Sequence, residues 1–244
     1  MNETQRSIQR STRNKMQVKN YEFTVQEKPP HPRIVDMLER VGGKIALGPA
    51  PSFNEAHVVK VLEILGDYGT VGRIKLSDEL ELGIGTTRTI LKHLKNEGLI
   101  YSSKKGFMFS EQGKDLFANL RNKISAGLEV PNSPLTVGPV VIAVLVRGMA
   151  HNVRRGVEQR NSAIRAGASG ATTLVFSRNR LTMASKREHI IECNSEVQNI
   201  ILTKLNPKEN DVIIIGSGES KIKAENGAIM AALKLIKSEK ASEI

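Results

Sequence analysis

Three helical patterns, a hairpin signal and a fourth helical pattern follow one another between residues 53 and 124. In the first of them, Val58, Val61, Leu62 and Leu65 recur at three- and four-residue spacings, as on the buried face of an amphipathic helix. Lys104, Lys105 and Gly106 separate two short segments rich in β-branched or aromatic residues, which is typical of a hairpin turn. The predicted elements are a helix capped by Asn54 and ending at Gly66, a helix between Gly72 and Gly83, a helix from about Thr86 to Gly98, a hairpin over 99–109 and a helix over 111–124. This order constrains the N-terminal half to a small helical domain that carries one β-hairpin.

The stretch from residue 82 to residue 117, LGIGTTRTILKHLKNEGLIYSSKKGFMFSEQGKDLF, resembles the recognition helix, wing and following helix of winged helix-turn-helix transcription regulators. Its core pattern, G-T-T-R-T-x-L-x-x-L-x-x-x-G-L-I, is similar to an archaeal family that joins such a domain to a C-terminal domain of unknown function. The resemblance covers most of residues 33–237. It implies a fold of the α+β class, with a winged helix followed by a two-layer α+β sandwich.

Composition divides the rest of the chain into segments. Residues 1–28 are polar and aperiodic, which predicts a flexible basic tail. Residues 29–126, with a short helix over 33–41, form the winged-helix domain, and residues 127–137 (GLEVPNSPLTV) are predicted to be a linker. The elements predicted for residues 138–244 are a strand over 138–146, a helix over 152–166, a hairpin over 171–183 with its turn at 177–179, a helix over 195–205, a strand over 211–216 and a helix over 221–237. This order favours an α+β layered domain for dimerisation or ligand sensing over a doubly wound sheet.

The charge balance points to a polyanionic partner. Lysine and arginine total 36 against 25 acidic residues, so the formal net charge is +11. Basic chains bind nucleic acids because neutralised phosphates release their condensed counterions, although a basic surface also serves solubility alone. Three tyrosines, six phenylalanines and no tryptophan give few stacking platforms. Duplex DNA is therefore favoured over single-stranded RNA.

The third predicted helix has the two faces that a recognition helix needs. Its basic face consists of Arg88, Lys92 and Lys95, and its apolar face points the other way. Thr86 and Thr87 stand at its N-terminus, where hydroxyls and free N–H groups can bind phosphate. Arg88 is the candidate for a bidentate contact with guanine. The wing lysines Lys104 and Lys105 complete the predicted DNA-binding set; the alternative is an ordinary solvated face.

Two features of the C-terminal domain are candidate ligand contacts. Gly216, Ser217 and Gly218 lie between a buried strand and a helix, where N–H groups favour an anion, although tight turns at such places are common. Arg160 falls within an apolar stripe of its predicted helix. A buried arginine needs a carboxylate or an anion beside it, so Arg160 is predicted either to pair with Glu225 or to bind a small anionic effector.

Several classes of function lack support in the sequence. The single cysteine, Cys193, and isolated histidines offer no metal set, and no nucleophile elbow, P-loop or dinucleotide fingerprint occurs. No catalytic residue, cofactor or metal is therefore predicted. The longest apolar run is half of the ~20 residues that span a bilayer, so a soluble, cytoplasmic protein without a membrane partner is expected. The sequence thus favours a homodimeric DNA-binding regulator. The alternatives are an enzyme or an RNA-associated protein that uses the basic C-terminal domain.

Overall fold

The computed structural model describes residues 34–43, 52–184 and 195–238. We call residues 34–124 the helical half and residues 125–238 the sheet half. The predicted basic tail, residues 1–28, lies outside the described residues. Mixed α+β architecture is confirmed: helices and one hairpin come first, and a five-stranded sheet with helices follows.

The helical half follows the predicted order of elements. These are α1 (Ile34–Gly42), α2 (Glu55–Tyr68), α3 (Arg73–Glu79), α4 (Ile84–Asn96), β1 (Ile100–Ser103), β2 (Gly106–Phe109) and α5 (Glu111–Lys123). Strands β1 and β2 form an antiparallel hairpin, the wing. A backbone bridge between Val71 and Phe107 attaches the wing to the chain that enters α3.

Helix α2 begins where the sequence predicts and ends later. The Asn54 side chain accepts hydrogen bonds from the backbone N–H groups of Ala56 and His57, which confirms the predicted cap. The prediction that this helix stops at Gly66 is wrong, because the helix continues to Tyr68. Gly66 instead lies against the ring of Phe117 from α5, which occupies the place that a Cβ would need.

The sheet half is built on five antiparallel strands. Its elements are β3 (Leu128–Glu129), β4 (Val140–Val146), a 3₁₀ turn (Ala150–Asn152), α6 (Val157–Arg165), β5 (Gly170–Ser177), β6 (Arg180–Met183), α7 (Ser195–Leu205), β7 (Val212–Gly218) and α8 (Lys221–Lys237). The strand order is β3-β4-β7-β5-β6. Helices α6 and α8 pack on one face of the sheet, and α7 contributes Val197 and Ile201 to the core on the other face. The turn predicted at 177–179 is confirmed, with Arg178 and Asn179 at φ +51° and +61°.

The segment predicted to be a linker is part of the sheet. Within residues 127–137, Leu128 and Glu129 pair with β4, while Val130 and Leu135 are buried in the core. The Gly, Pro and Ser residues of this segment are typical of turns, but the apolar residues between them pair with the sheet or are buried in its core.

The two halves share one hydrophobic core. Buried side chains of α2 and α5 pack in the same cluster as Val144 of β4, Ile214 of β7 and Ile229 of α8. Lys60 of α2 crosses this contact to Glu225 of α8, with Nζ 2.8 Å from Oε2. Among the described residues, no helix is long and apolar enough to cross a membrane.

Candidate nucleic-acid interface

Helix α4 presents the two faces predicted from its sequence. Ile90, Leu91 and Leu94 are buried in the core of the helical half. Arg88, Lys92 and Lys95 are exposed on the opposite side. Because the apolar side docks on its own domain, the basic side is left open to an outside partner.

The two threonines predicted to contact DNA are not equivalent. Thr87 is completely buried, and its hydroxyl donates to the carbonyl of Gly83 at 3.2 Å, so its inclusion in the interface is wrong. The reason is local: at this position of the first turn, the side chain points into the core and bonds back to the preceding turn. Thr86 is half-buried and shares a hydrogen bond of 3.0 Å with Ser52.

The wing stands beside the basic face of α4. Lys104 and Lys105 occupy its turn and are exposed, as the sequence predicts. Lys95 of α4 donates to the hydroxyl of Ser102 in β1 at 3.3 Å, which ties the helix to the wing. Tyr101, on the same strand, is 50% exposed.

A groove of about 370 Å³ runs between α4 and the wing. Its polar lining consists of four cations, one amide and one hydroxyl, and no carboxylate lines it. The cations are Arg73, Arg88, Lys92 and Lys95. Neither Arg88 nor Lys92 forms an ion pair with any residue that the structure describes. The groove is therefore positive along its length and has no internal counter-charge.

Sequence reasoning did not identify Arg73 as part of this surface. Arg73 is the first residue of α3, directly after Gly72, and its place in the groove depends on how α3 packs against α4. The sequence offers only a weak signal for Arg73, because the hydrophobic periodicity of a seven-residue helix is too short to show which way its first side chain faces. Its neighbour Ile74 is 69% exposed.

The glycines proposed as an anion site have a packing role. Gly216, Ser217 and Gly218 are buried within β7 and pair with β4 and β5, rather than forming a loop. A Cβ on Gly216 would collide with the backbone of α8 at Ala224, so the absence of a side chain lets helix and strand approach closely. The Ser217 hydroxyl accepts from the N–H of Val137 at 3.3 Å. The structure therefore does not bear out a ligand contact at these residues.

Neither alternative for Arg160 holds in its predicted form. Arg160 is exposed, as are Val157 and Ile164 at 51% and 43%, so their shared face of α6 is turned outward. Glu225 is buried and pairs with Lys60 instead. The buried residues of α6 are Gln159 and Ala163. Ala163 lies against Gly227 of α8, and these small residues let the two helices pack closely.

Two of the five histidines serve internal hydrogen bonds. The His57 ring lies between Asn54 and Asn226, with N···O and N···N distances of 2.8 and 3.2 Å, and burial lowers its pKa. His93 lies 2.8 Å from the carbonyl of Val41. No group of three or more His, Cys, Asp or Glu side chains that could hold a metal ion occurs in the described part of the chain.

Comparison with known proteins supports a two-part architecture. Residues 64–115 match the model of the N-terminal domain of PH0730-like proteins, and residues 137–235 match a domain of unknown function, DUF4443. The solved structure of the hypothetical protein PH0730 from Pyrococcus horikoshii OT3 is similar, with 28% sequence identity and a TM-score of 0.60. The alignment covers 75% of this chain and 93% of that chain. No curated protein matches. This chain thus carries the two matched parts in this order, and the predicted resemblance to an archaeal protein is confirmed.

Proposed function

We propose that this protein is a transcription regulator that binds duplex DNA through α4 and the wing. The observation that carries the proposal is the groove between them, which has four cations and no carboxylate. By contrast, Lys60 and Arg121 lie beside the buried carboxylates of Glu225 and Glu63 and are paired with them. Unpaired cations in one groove are what a phosphate backbone requires.

The dimensions of α4 suit the major groove of B-DNA. Its 13 residues give a helix about 20 Å long, and a major groove about 12 Å wide admits one α-helix. Arg88 lies in the first half of α4, where recognition helices contact base edges, so it is assigned the bidentate contact with guanine. Lys92 and Lys95 follow along the groove, and the exposed wing lysines Lys104 and Lys105 are proposed to contact the adjacent phosphate backbone.

A homodimer and a cytoplasmic location complete the proposal. Two half-sites give a regulator affinity and specificity that one short helix lacks, and closed two-fold contacts are the commonest form of oligomer. The exposed Val157 and Ile164 on α6 favour the sheet half as the dimer surface. Sedimentation of the full chain at micromolar concentration, with and without duplex DNA, measures this state. A monomer under both conditions would remove the dimer from the proposal.

The binding test compares paired charge-removal variants of the full chain. Arg88→Ala is expected to cost ~1–3 kcal/mol on a selected duplex and to relax the sequence preference. Lys104→Ala with Lys105→Ala is expected to weaken all duplexes about equally and to reduce the slope of log affinity against log salt by about 2. Fluorescence anisotropy at several salt concentrations measures both effects.

The matched control removes two exposed charges from the sheet half. Lys204→Ala with Lys208→Ala changes the net charge by the same amount as the wing pair, yet both residues lie outside the groove. This control is expected to retain the affinity of the unmodified protein. If it weakens binding as much as the wing pair does, the groove is not the interface. Tighter binding to structured RNA than to any duplex would replace DNA by RNA as the partner.

A further inference from the structure

A second basic cavity lies in the sheet half, far along the chain from the DNA-binding groove. It has a volume of about 710 Å³ and lies between the start of α6 and the end of α8. Its cationic lining consists of Arg154, Arg155, Lys234 and Lys237, with His151 beside them. Glu158 supplies a single carboxylate among the lining residues and is itself exposed. A cavity of this volume accommodates one small molecule.

Gln159 is the buried polar group of this cavity. The residue is 97% buried, since only 3% of its surface is exposed. Its amide lines the cavity and makes no hydrogen bond with any residue in the described ranges. The amide atoms themselves are not sealed off, because the small exposed part of Gln159 opens to the cavity. A ligand in the cavity could therefore hydrogen-bond to an amide that no neighbouring residue engages.

The first turn of α6 opens onto the same place. Gly156 precedes the helix at φ +74°, and no side chain caps the helix N-terminus. The N–H groups of the first turn therefore have no partner within the helix, and they attract an anion. A side chain at Gly156 would press on Thr173 of β5, whose hydroxyl is buried without a hydrogen-bond partner in the described structure.

The four cations that line this cavity differ in whether they already have a carboxylate partner. Arg154, Arg155 and Lys234 are exposed and form no ion pair with a described residue. Lys237 is already engaged, with its Nζ 2.8 Å from Oε1 of Glu39 and 3.3 Å from Oε1 of Glu55. These carboxylates belong to α1 and to the first turn of α2, so the cavity wall is joined directly to the helical half.

We propose that this cavity binds a small phosphate-bearing anion, with Gln159, the first turn of α6 and Arg154 and Arg155 as its donors. A phosphate offers the several acceptor oxygens that an amide, free N–H groups and two guanidinium groups can satisfy together. An anion bound there competes with Glu39 and Glu55 for Lys237 and so changes how the helical half is held. This site does not depend on DNA binding and goes beyond the proposed regulator.

Thermal melting of the full chain tests the proposal with three probes. Inorganic phosphate, pyrophosphate and a nucleoside monophosphate are each compared with chloride at equal ionic strength. A probe at 100 times its Kd is expected to raise Tm by roughly 5–10 °C. A nucleoside monophosphate that acts at lower concentration than inorganic phosphate identifies a nucleotide as the source of the phosphate; equal potency identifies the free ion.

Variants locate the effect within the molecule. Arg154→Ala with Arg155→Ala, and separately Gln159→Leu, are expected to lose the phosphate-dependent shift. Arg160→Ala with Arg165→Ala removes two charges from α6 outside the cavity. This control variant is expected to keep the phosphate-dependent shift in Tm. Because Arg154 and Arg155 are exposed, their replacement leaves the core intact and gives a result even if Gln159→Leu fails to fold.

Two results would overturn the proposal. One is a Tm that rises no more with phosphate than with chloride. The other is a phosphate-dependent shift that survives in both cavity variants. If the first result is accompanied by weaker duplex binding of the variant that lacks Arg154 and Arg155, the cavity wall contacts nucleic acid and the small-anion site does not exist.

Discussion

Cations have opposite surroundings in the groove between α4 and the wing and at the junction where α2 and α5 of the helical half meet α8 of the sheet half. In the groove, Arg88 and Lys92 are exposed and have no carboxylate partner among the described residues. At the junction, Lys60 contacts Glu225 at 2.8 Å, and Arg121 contacts Glu63 at 3.0 Å, both carboxylates being buried. The same residue types are therefore left open to solvent in the groove, whereas at the junction each one neutralises a buried acid.

The largest expected effect comes from removing the cation at the junction. Lys60→Met leaves Glu225 buried without a counter-charge and should lower the free energy of unfolding by about 3 kcal/mol, near the low end for buried pairs because Lys60 is partly exposed. Lys60→Met combined with Glu225→Met should recover much of the loss. Urea denaturation of the three variants measures these changes.

The control for this comparison is Lys204→Met, which removes an exposed cation of α7 and should change stability by less than ~0.5 kcal/mol. Equal losses for Lys60→Met and Lys204→Met would erase the distinction between the two uses of cations.

The next expected effect is the pH dependence that Glu63 gives to the free energy of unfolding. Burial raises the pKa of this carboxyl to about 7, while Arg121 opposes the rise. The folded protein then holds a proton that the unfolded chain releases near pH 4.5, so stability falls as pH rises from about 4.5 to 7 and stays lower above it. One such group contributes a slope of at most about 1.4 kcal/mol per pH unit.

Glu63→Gln removes that proton exchange and should flatten the curve of stability against pH within this window. Denaturation at several pH values between 4 and 8, for the variant and the unmodified protein, gives the two slopes. Identical slopes would mean that Glu63 titrates alike in both states, and the junction would not be the source of the pH dependence.

The smallest effect on stability is expected where the effect on DNA binding is largest. Arg88→Ala with Lys92→Ala should change the free energy of unfolding by no more than ~0.5 kcal/mol, because both side chains are solvated. Removing two like charges from one groove can even stabilise slightly. Chemical denaturation without DNA measures this, and a loss of 2 kcal/mol or more would show that the groove is also a structural element.

Local signals explain what could be predicted. The Asn54 cap and the turn at Arg178 and Asn179 depend on neighbours within a few residues, and both occur as predicted. Helical periodicity and one apolar face are enough to predict the basic face of α4. Arg88 and Lys92 are exposed on that face, as predicted. Much of the fold and the central part of the candidate interface thus follow from short-range pattern.

The two wrong predictions for α6 and Glu225 have a different cause. Which face of α6 is buried depends on α8, where Gly227 lies against Ala163 and leaves Val157 and Ile164 outside. Periodicity of large apolar residues selected the wrong face, because the true contact uses small ones. The partner of Glu225 was likewise misassigned, since Lys60 stands 165 positions earlier in the chain. Pairings over such separations are set by packing of whole elements.

The passage from α5 into the sheet has a thermodynamic consequence. Directly after α5, Ile124 bridges Val146, and Ser125 bonds to both the N–H and the carbonyl of Leu145. The chain thus becomes the edge of the sheet within two residues of the helix end, and the core on either side is continuous. Melting one half would expose apolar surface of the other. A calorimeter should therefore register a single heat-absorption peak, with calorimetric and van't Hoff enthalpies in agreement.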